Sequence, residues 1–328
     1  MTSFSGIISC SIGRRISRLW TPGRSCRHRD PYGTNAAGTP ECPTSSGLVL
    51  TRRSARRSRD ASLERSETRD IVERVSAAYV WQRALGHDTV QDSLCCIVRD
   101  PTHPDVWDAN HISGVRVSTT AEIDQVLQRA NETFAHCHHR LFVVDPLTPS
   151  AFVARLALDD YHELAATIQL VLEGSLQMKP RDIDLRPVTT EADLQSLHTL
   201  VRHDHTEGAR TGGRTISAEV TQGIVASYRK KWPAYQFFLT REDGVECAYG
   251  AGVLCANGMG MVEDLFTLPD FRKRGIATAI IDRAISHVRN QGAEQILIGA
   301  LATETPKLLY AALGFVPVCV TREYIKHK

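Results

Sequence analysis

Residues 262–281 read Val-Glu-Asp-Leu-Phe-Thr-Leu-Pro-Asp-Phe-Arg-Lys-Arg-Gly-Ile-Ala-Thr-Ala-Ile-Ile, which predicts a strand (262–267), a turn, a basic loop (272–275) and then a helix. The first backbone N–H groups of a helix have no partner within the helix and lie at the positive end of its dipole, so they attract anions. Gly275 lets the backbone approach a ligand closely. Three basic side chains add charge for a phosphate group: Arg272, Lys273 and Arg274. The loop is therefore predicted to bind a pyrophosphate, although it matches neither the P-loop nor the dinucleotide-binding motif.

The composition indicates an ordinary globular protein with about two domains. The chain has 328 residues, of which 42% are hydrophobic and 23% charged. It contains no apolar run near the roughly 18 to 20 residues that cross a bilayer, so no membrane association is predicted. Nine cysteines without a Cys-x-x-Cys pair indicate reduced thiols, no structural zinc and a cytoplasmic protein.

The charge is distributed unevenly along the chain. Residues 1–69 carry thirteen arginines, no lysine and five acidic residues, a net charge of +8, so the overall charge of +2 leaves −6 for residues 70–328. A mildly acidic folded part gives no argument for nucleic-acid binding. It favours a cationic or amine ligand instead.

Residues 1–69 are rich in Arg, Ser, Gly and Pro. Such a segment cannot bury enough apolar surface to offset the entropy of ordering it, so disorder is predicted. Isoleucines and a leucine at helical spacing within residues 8–19, beside three arginines, are also typical of an organelle transit peptide. A plain tail and a stretch translated from an early start codon are the alternatives.

Residues 70–178 alternate between helix-like and strand-like patterns and predict an α+β segment, which a linker at 179–182 joins to the rest of the chain. This segment contains no phosphate-binding loop. The run His136–His139 holds three histidines and a cysteine, but consecutive residues cannot all face one ion. We therefore predict no metal site there and expect a polar helix end.

Two short motifs lie about 38 residues apart in the C-terminal part of the chain, each on its expected element. The first, Gln/Arg-x-x-Gly-x-Gly/Ala, appears as Arg272, Gly275 and Ala277, and the second, Tyr-x-x-x-Gly-Phe, as Tyr310, Gly314 and Phe315. The predicted element order is strand, two helices, three antiparallel strands, long helix, strand, helix, strand. By these features residues 183–327 resemble the GNAT superfamily, whose members move an acyl group from coenzyme A to an amine.

The resemblance implies a fold and a cosubstrate. The fold would be mixed α/β (α+β), with a central, mixed but mostly antiparallel sheet. The cosubstrate would be acetyl-CoA, with its pantetheine amides paired to the strand and its pyrophosphate on the loop. The residues implied are Leu265, Phe266, Thr267, Arg272, Lys273, Arg274, Gly275, Ile276, Ala277 and Thr278. The chain departs from the family at Thr303, where many members have an Asn that touches the cofactor.

For residues 70–178 the resemblance leaves two interpretations. They form either a decayed second lobe of the same fold, as in tandem members, or a distinct α+β accessory domain. Because the segment lacks the pyrophosphate loop, we expect it to bind no cofactor in either case.

Acyl transfer to an amine needs a base, because an alkyl amine has a pKa near 10 and must lose a proton. Some small-amine acetyltransferases of the superfamily have Glu-Asp where this chain has Glu263 and Asp264, with the Glu as the base. We therefore expect Glu263 to act as the base, directly or through water, with Asp264 as its rival or as an acceptor-binding group. Side chains alternate along a strand, so the two are expected on opposite faces, with at least one solvated or salt-bridged.

Tyr310 is the candidate acid, since the resemblance implies the family's acid one turn before Gly314. A departing thiolate with a conjugate-acid pKa of about 8.5 gains from a proton donor. The alternative is a core tyrosine whose hydroxyl bonds a backbone carbonyl.

The acceptor is expected near a polar loop at 202–214, where members of the family contact it. His203 and His205 would bind the acceptor there or act as the base, although polar loops often contain histidines without a role. Trp232 would line the same opening or simply pack against it.

The leading prediction is an acetyl-CoA-dependent N-acetyltransferase that acts on a small-molecule or protein amine. The alternatives are a coenzyme-A-binding regulatory module without turnover and a protein or peptide acetyltransferase with an open groove. The acceptor, the acyl chain length and the oligomeric state, a homodimer included, stay open.

Overall fold

The computed structural model describes residues 52–210 and 215–328. All contacts given below lie within the unit Thr68–Lys328. Most of the N-terminal extension that was predicted to be disordered lies outside the described residues. The last part of the extension is described and is helical. The first helix begins at Arg52, upstream of the domain boundary expected at residue 70.

The described part of the chain forms seven α-helices and eleven strands. The helices are α1 (Arg52–Ala84), α2 (Thr120–Thr133), α3 (Ser150–Leu158), α4 (Glu191–Arg210), α5 (Ala218–Lys231), α6 (Ile276–Arg289) and α7 (Pro306–Ala312). The strands are β1 (Asp88–Gln91), β2 (Cys96–Arg99), β3 (His111–Ser113), β4 (His139–Val144), β5 (His162–Leu172), β6 (Leu185–Pro187), β7 (Tyr235–Glu242), β8 (Val245–Leu254), β9 (Gly260–Thr267), β10 (Ile296–Leu301) and β11 (Val316–His327).

The strands form one sheet in the order β1-β2-β3-β4-β11-β5-β10-β9-β8-β7-β6. In the described sheet, β3 runs parallel to β4 and β9 parallel to β10, while the other neighbours are antiparallel. The predicted mixed, mostly antiparallel sheet is confirmed.

The order of elements repeats in the two halves of the chain. In each half, antiparallel strands lead to a strand, a helix and a parallel strand (β3-α2-β4 and β9-α6-β10). A short helix and a long strand follow (α3-β5 and α7-β11). This repeat favours the second-lobe interpretation of residues 70–178, and the domain boundaries stay predictions.

The long strands β5 and β11 are exchanged between the halves. β5 pairs with β10 of the C-terminal half, β11 pairs with β4 of the N-terminal half, and the two strands pair with each other at the centre of the sheet. The segments 70–178 and 183–328 therefore share one continuous sheet. Side chains from both halves can reach a cavity near its centre.

Helices cover both faces of the sheet in the C-terminal half. Alternate residues of β7 divide between two cores: Phe237 joins the cluster that contains residues of α1 and α4, and Phe238 joins the cluster of α6. The apolar face of α6 is fully buried, with Ile280, Ala284 and Val288 each at 0% exposure. None of the helices in the described part of the chain is both long and apolar enough to cross a membrane.

Helix α4 is longer than predicted, so most of the loop expected at 202–214 is helical. Its start is fixed by Thr190 and Asp193, because each side chain accepts a hydrogen bond from the other residue's backbone N–H, at 3.2 and 3.0 Å. Its buried face carries Leu197, Leu200 and Val201. The buried face then continues into the polar stretch, where it carries the buried carboxylate of Asp204. A pattern of apolar residues could not reveal this part of the helix.

We predict that Ile325→Ala lowers the free energy of unfolding by about 2–4 kcal/mol, because it leaves a cavity where the exchanged strand joins the halves. Ile325 lies in β11 opposite Leu141 of β4, is 4% exposed and packs with Trp107 and Leu164. Urea denaturation followed by circular dichroism measures the effect. Val316→Ala, on the same strand but 63% exposed, is the control and should change stability by less than about 0.5 kcal/mol. Equal losses in the two variants would contradict the role given to β11.

Candidate active site

A β-bulge in β9 brings Glu263 and Asp264 to the same cavity. Pairing with β8 runs up to Glu263 opposite Ala251 and resumes with Phe266 opposite Tyr249, so two residues of β9 face one residue of β8. Asp264 has a φ of +51°, in the left-handed region. The extra residue resets the alternation of side chains along the strand. The prediction that the two carboxylates lie on opposite faces is therefore wrong.

The residue opposite the bulge is Gly250, and no larger residue fits there without movement. A Cβ at this position would lie 2.5 Å from Cγ2 of Ile280 in α6 and 3.0 Å from Cδ1 of Leu265. The glycine thus lets α6 pack directly against the bulged part of the sheet.

Strands β9 and β10 separate beside the bulge. They pair where Gly260–Val262 face Ile296–Ile298, and beyond this point β10 continues to pair with β5 on its other edge. In the described sheet, the edge of β9 from Glu263 onward therefore has no strand partner on the β10 side. Backbone groups of an unpaired edge can bind the amides of an extended ligand, as expected for Leu265, Phe266 and Thr267.

The cavity beside this gap is lined by residues from both halves of the chain. Its acidic side chains are Asp108, Glu263, Asp264, Glu304 and Glu323, its phenols are Tyr79, Tyr228 and Tyr310, and its basic side chains are Arg83, His87 and Lys231. The first candidates for base and acid, Glu263 and Tyr310, therefore lie in one cavity.

The Asp264 carboxylate is held by two tyrosine hydroxyls. Tyr235 donates to Oδ2 at 2.6 Å and Tyr228 donates to Oδ1 at 3.0 Å. Burial raises the pKa of Asp264, and the hydroxyl of Tyr235 and the charge of Lys231 oppose that rise. Asp264 is thus a fixed acceptor whose two oxygens are already engaged.

The Glu263 carboxylate lies in the same cavity and makes no hydrogen bond to the residues that the structure describes. Burial and the adjacent charge of Asp264 raise the pKa of Glu263 to about 8, against the opposing charges of Lys231 and Arg83. A carboxylate with such a pKa is a stronger base than an exposed glutamate, and its oxygens remain available to a substrate proton.

Tyr310 reaches the cavity from α7 and is 3% exposed. The helix ends just beyond it, and Gly314 has a φ of +99°, which glycine adopts without strain. The turn brings Phe315 back against the Tyr310 ring, with 6.2 Å between ring centroids. Position and burial fit the predicted acid, and the role itself stays a prediction.

The start of α6 is open to an anion. Gly275 occupies the N-cap position with a φ of +82° and, as a glycine, has no side chain to bond the first N–H groups. The first turn of the helix contains no acidic residue. Helix α2, at the equivalent place in the N-terminal half, is closed by Thr119 and Glu122, whose side chains accept from each other's backbone N–H groups. The two halves therefore differ at the point where a pyrophosphate would bind.

The three basic side chains of the loop are not equivalent. Arg272 makes a forked ion pair with Glu207 of α4, at 2.7 and 2.6 Å, and its Nε donates to the carbonyl of Thr267 at 2.8 Å. Arg274 donates to the carbonyl of Asp270, and Lys273 is exposed. Arg272 thus ties the loop to α4 and β9, and Lys273 is the better candidate for a direct phosphate contact.

Arg181 is a neighbour of the loop that sequence reasoning missed, because its segment was interpreted as a linker. A Cβ on Gly275 would lie 3.5 Å from the Cβ of Arg181. The Nη1 of Arg181 donates to the carbonyl of Arg274 at 3.3 Å and to Glu242 at 2.9 Å. Its charge adds to the positive field at the start of α6.

Arg83 of α1 is a second residue that sequence reasoning missed. Its guanidinium is 7% exposed and contacts Tyr79 at 3.1 Å, Asp108 at 2.7 Å and Glu323 of β11 at 3.1 Å. Its spacing of four residues from Tyr79 on one helix was the available signal. Its two acidic partners, Asp108 and Glu323, come close to it only through the tertiary fold.

Lys231, the last residue of α5, was also missed. It is 8% exposed, lines the cavity, and has its Nζ 5.4 Å from the centre of the Tyr235 ring. Burial lowers the pKa of Lys231, and Asp264 is the first of the acids that oppose this effect.

The residues predicted to contact the acceptor do not line the cavity. His203 and His205 lie on α4 and not in a loop; His203 is exposed, and Nδ1 of His205 is 2.8 Å from the hydroxyl oxygen of Thr221. Burial lowers the pKa of His205 to about 4, so its imidazole is neutral. Trp232 follows α5 and is 48% exposed on the surface. Helix α4 continues where a loop was expected, which directs the two histidine side chains elsewhere.

The described residues contain no group of three or more His, Cys, Asp or Glu that could hold a metal ion. The run His136–His139 does not form the expected helix end. Helix α2 ends earlier, at Thr133, and His139 is the first residue of β4.

Residues 233–317 match the family model described as an acetyltransferase (GNAT) domain. None of the curated proteins compared with the chain matches it. Two solved structures are similar over most of the chain. A GCN5-related N-acetyltransferase from Kribbella flavida has 17% sequence identity and a TM-score of 0.58, and the match covers 78% of this chain and 95% of that protein's chain. A functionally unknown conserved protein from Staphylococcus epidermidis has 13% identity and a TM-score of 0.56, covering 74% and 94%.

At these identities the two structures show a shared fold and nothing about substrates. The domain match covers β7 to the start of β11, with the bulge, the open start of α6 and Tyr310. The family match over residues 233–317 confirms the resemblance of the C-terminal part of the chain to the GNAT superfamily.

Proposed function

We propose that the chain is an acetyl-CoA-dependent N-acetyltransferase that acts on a primary amine by direct attack. The observation that carries the proposal is the convergence of Glu263 and Tyr310 on one cavity, beside an unpaired strand edge. A base and an acid are the two groups that this reaction requires. The enclosing contribution of α1 and α5 favours a small-molecule acceptor over a protein segment.

Acetyl-CoA supplies an activated acyl group when it is bound. The residues that fit it are the free edge of β9 at Leu265–Thr267 and the backbone N–H groups that begin α6 at Gly275–Thr278. The missing cap and the missing acid in the first turn of α6 support this fit, because an anion would otherwise compete with a carboxylate. Lys273 and Arg181 add positive charge nearby.

The chain's own groups divide the proton chemistry. Glu263 accepts the proton of the amine, because its carboxylate is free of hydrogen bonds to the described residues and has a raised pKa. Tyr310 holds a proton for the departing sulfur. A backbone N–H of the unpaired β9 edge is suited to stabilise the charge that develops on the carbonyl oxygen. A regulatory module without turnover would have no chemical need for this arrangement.

Gly275→Val is expected to weaken acetyl-CoA binding about tenfold or more, because a Cβ and a strained φ disturb the amides at the start of α6. Isothermal titration calorimetry on the full chain measures the dissociation constant. Gly292→Val is the matched control: its φ is +102°, no atom lies within 4 Å of its Cβ position, and it lies beyond the other end of α6. Absence of binding by the wild type, or an equal loss in both variants, would refute the assigned site.

Glu263→Gln is expected to lower kcat by about 10²-fold or more and to change its pH dependence. The pKa of Glu263 is raised to about 8, and the base works in its deprotonated form. The wild-type kcat at saturating acceptor should therefore rise with pH and level off above about 8, well below the titration of the amine near 10. The exposed Glu294→Gln should keep the wild-type profile. If Glu263→Gln keeps the same bend near pH 8, Glu263 is not the base.

Tyr310→Phe is expected to lower kcat by up to about 10²-fold, because the departing sulfur loses its proton donor. The dissociation constant of acetyl-CoA should stay within about threefold of the wild-type value, since the ring that packs on Phe315 is retained. Tyr324→Phe, which removes a hydroxyl bonded to Glu163 at 3.2 Å, is the control with unchanged kcat. A parallel loss of binding and turnover in Tyr310→Phe would mean that the hydroxyl is structural.

A further inference from the structure

Lys231 is a buried ammonium group that lines the cavity and forms no ion pair with the described residues. It is 8% exposed, and among the described residues its Nζ makes no hydrogen bond and has no carboxylate oxygen within 4 Å. The carboxylates of Asp264, Asp108 and Glu263 act on its charge without forming an ion pair with it. The Tyr235 ring, at 5.4 Å, and the carbonyl end of α5 offer further partial compensation.

Two basic residues near Lys231, Arg83 and Lys230, have carboxylate partners. Arg83 contacts Asp108 and Glu323, as described above. Lys230, the preceding residue in the chain, contacts Asp100 at 2.6 Å outside the cavity. The two adjacent lysines therefore differ: Lys230 forms a close ion pair, and Lys231 forms none with the described residues.

An unpaired charge in a protein interior is unfavourable, so buried charges are normally paired. A cationic group that lines a cavity and lacks a protein partner is therefore suited to an anionic group of a ligand. In the same cavity, Glu263 and Asp264 supply the negative charge that attracts an amine. The cavity thus offers charges of both signs to a single small molecule.

We infer that the acceptor is a primary amine that also carries a carboxylate, and that Lys231 binds this carboxylate while the amine faces Glu263. The inference rests on the proposed acetyltransferase function and specifies its acceptor. A carboxylate fits better than a phosphate, because one unpaired ammonium matches one negative charge. The forked guanidinium of Arg83, which would suit a phosphate, is already occupied by two carboxylates.

The test compares amines that differ by one carboxylate. Thiol release from acetyl-CoA is measured with glycine, β-alanine, 4-aminobutyrate and 5-aminopentanoate, and with methylamine, ethylamine, propylamine and butylamine. For at least one pair, the wild type should show a kcat/KM about tenfold or more higher for the carboxylated member. Lys231→Met should reduce that ratio to near one, while Lys230→Met keeps it. Each ratio compares two amines with the same variant. Any effect of the lost charge on the pKa of Glu263 therefore applies to both amines and cancels.

The outcomes separate this inference from the proposed function. If plain amines are acetylated as well as their carboxylated partners, or if Lys231→Met keeps the ratio, the inference is wrong and the acetyltransferase function stands. If no amine is acetylated, the proposed function fails. Calorimetric titration of the same pairs into the full chain with coenzyme A then tests Lys231 alone. A preference for carboxylated amines that Lys231→Met abolishes supports its role in binding a carboxylate, and equal binding overturns that role.

Discussion

The bulge at Asp264 is the constraint on which the rest of the site depends. A regular strand would place one of the two adjacent carboxylates on the helix-covered face of the sheet that α6 occupies. The extra residue turns both into the cavity, and it coincides with the point where β10 separates from β9. One irregularity therefore supplies an acidic pair and an open strand edge at the same place. Gly250 makes it possible, because α6 can then pack against the bulge without a clash with Ile280.

The exchange of β5 and β11 determines what surrounds the acidic pair. Because β11 crosses into the N-terminal half, Glu323 lies next to Arg83 of α1, more than two hundred residues earlier in the chain. Breaking a buried ion pair is costly. The position of Arg83 in the cavity wall therefore depends on the pairing of β11 at the centre of the sheet. The N-terminal half thus contributes residues to the wall of the cavity, although its own α2 is capped.

The features that sequence predicts correctly are those with a local cause. The open glycine start of α6 and the position of Tyr310 before Gly314 follow from short motifs, and the structure agrees with both. The roles of Arg83 and Lys231 could not be predicted, since they depend on contacts between distant segments. His203 was misplaced for another reason: the buried face of α4 continues through a polar stretch, which apolar periodicity does not register. The opposite-face expectation for the acidic pair failed because a bulge of one residue leaves no clear mark in the sequence.

The two neighbouring carboxylates have different chemistry although they share one cavity. Each oxygen of Asp264 already accepts a hydrogen bond from a tyrosine hydroxyl, and protonation would disrupt one of these bonds. These bonds favour the charged form of Asp264, and its charge in turn makes ionisation of Glu263 harder. Two acids whose surroundings separate their pKa values can serve as a fixed charge and a proton carrier. Asp264 is therefore better suited to act as a fixed charge, and Glu263, which has no such bonds within the described residues, is better suited to exchange a proton.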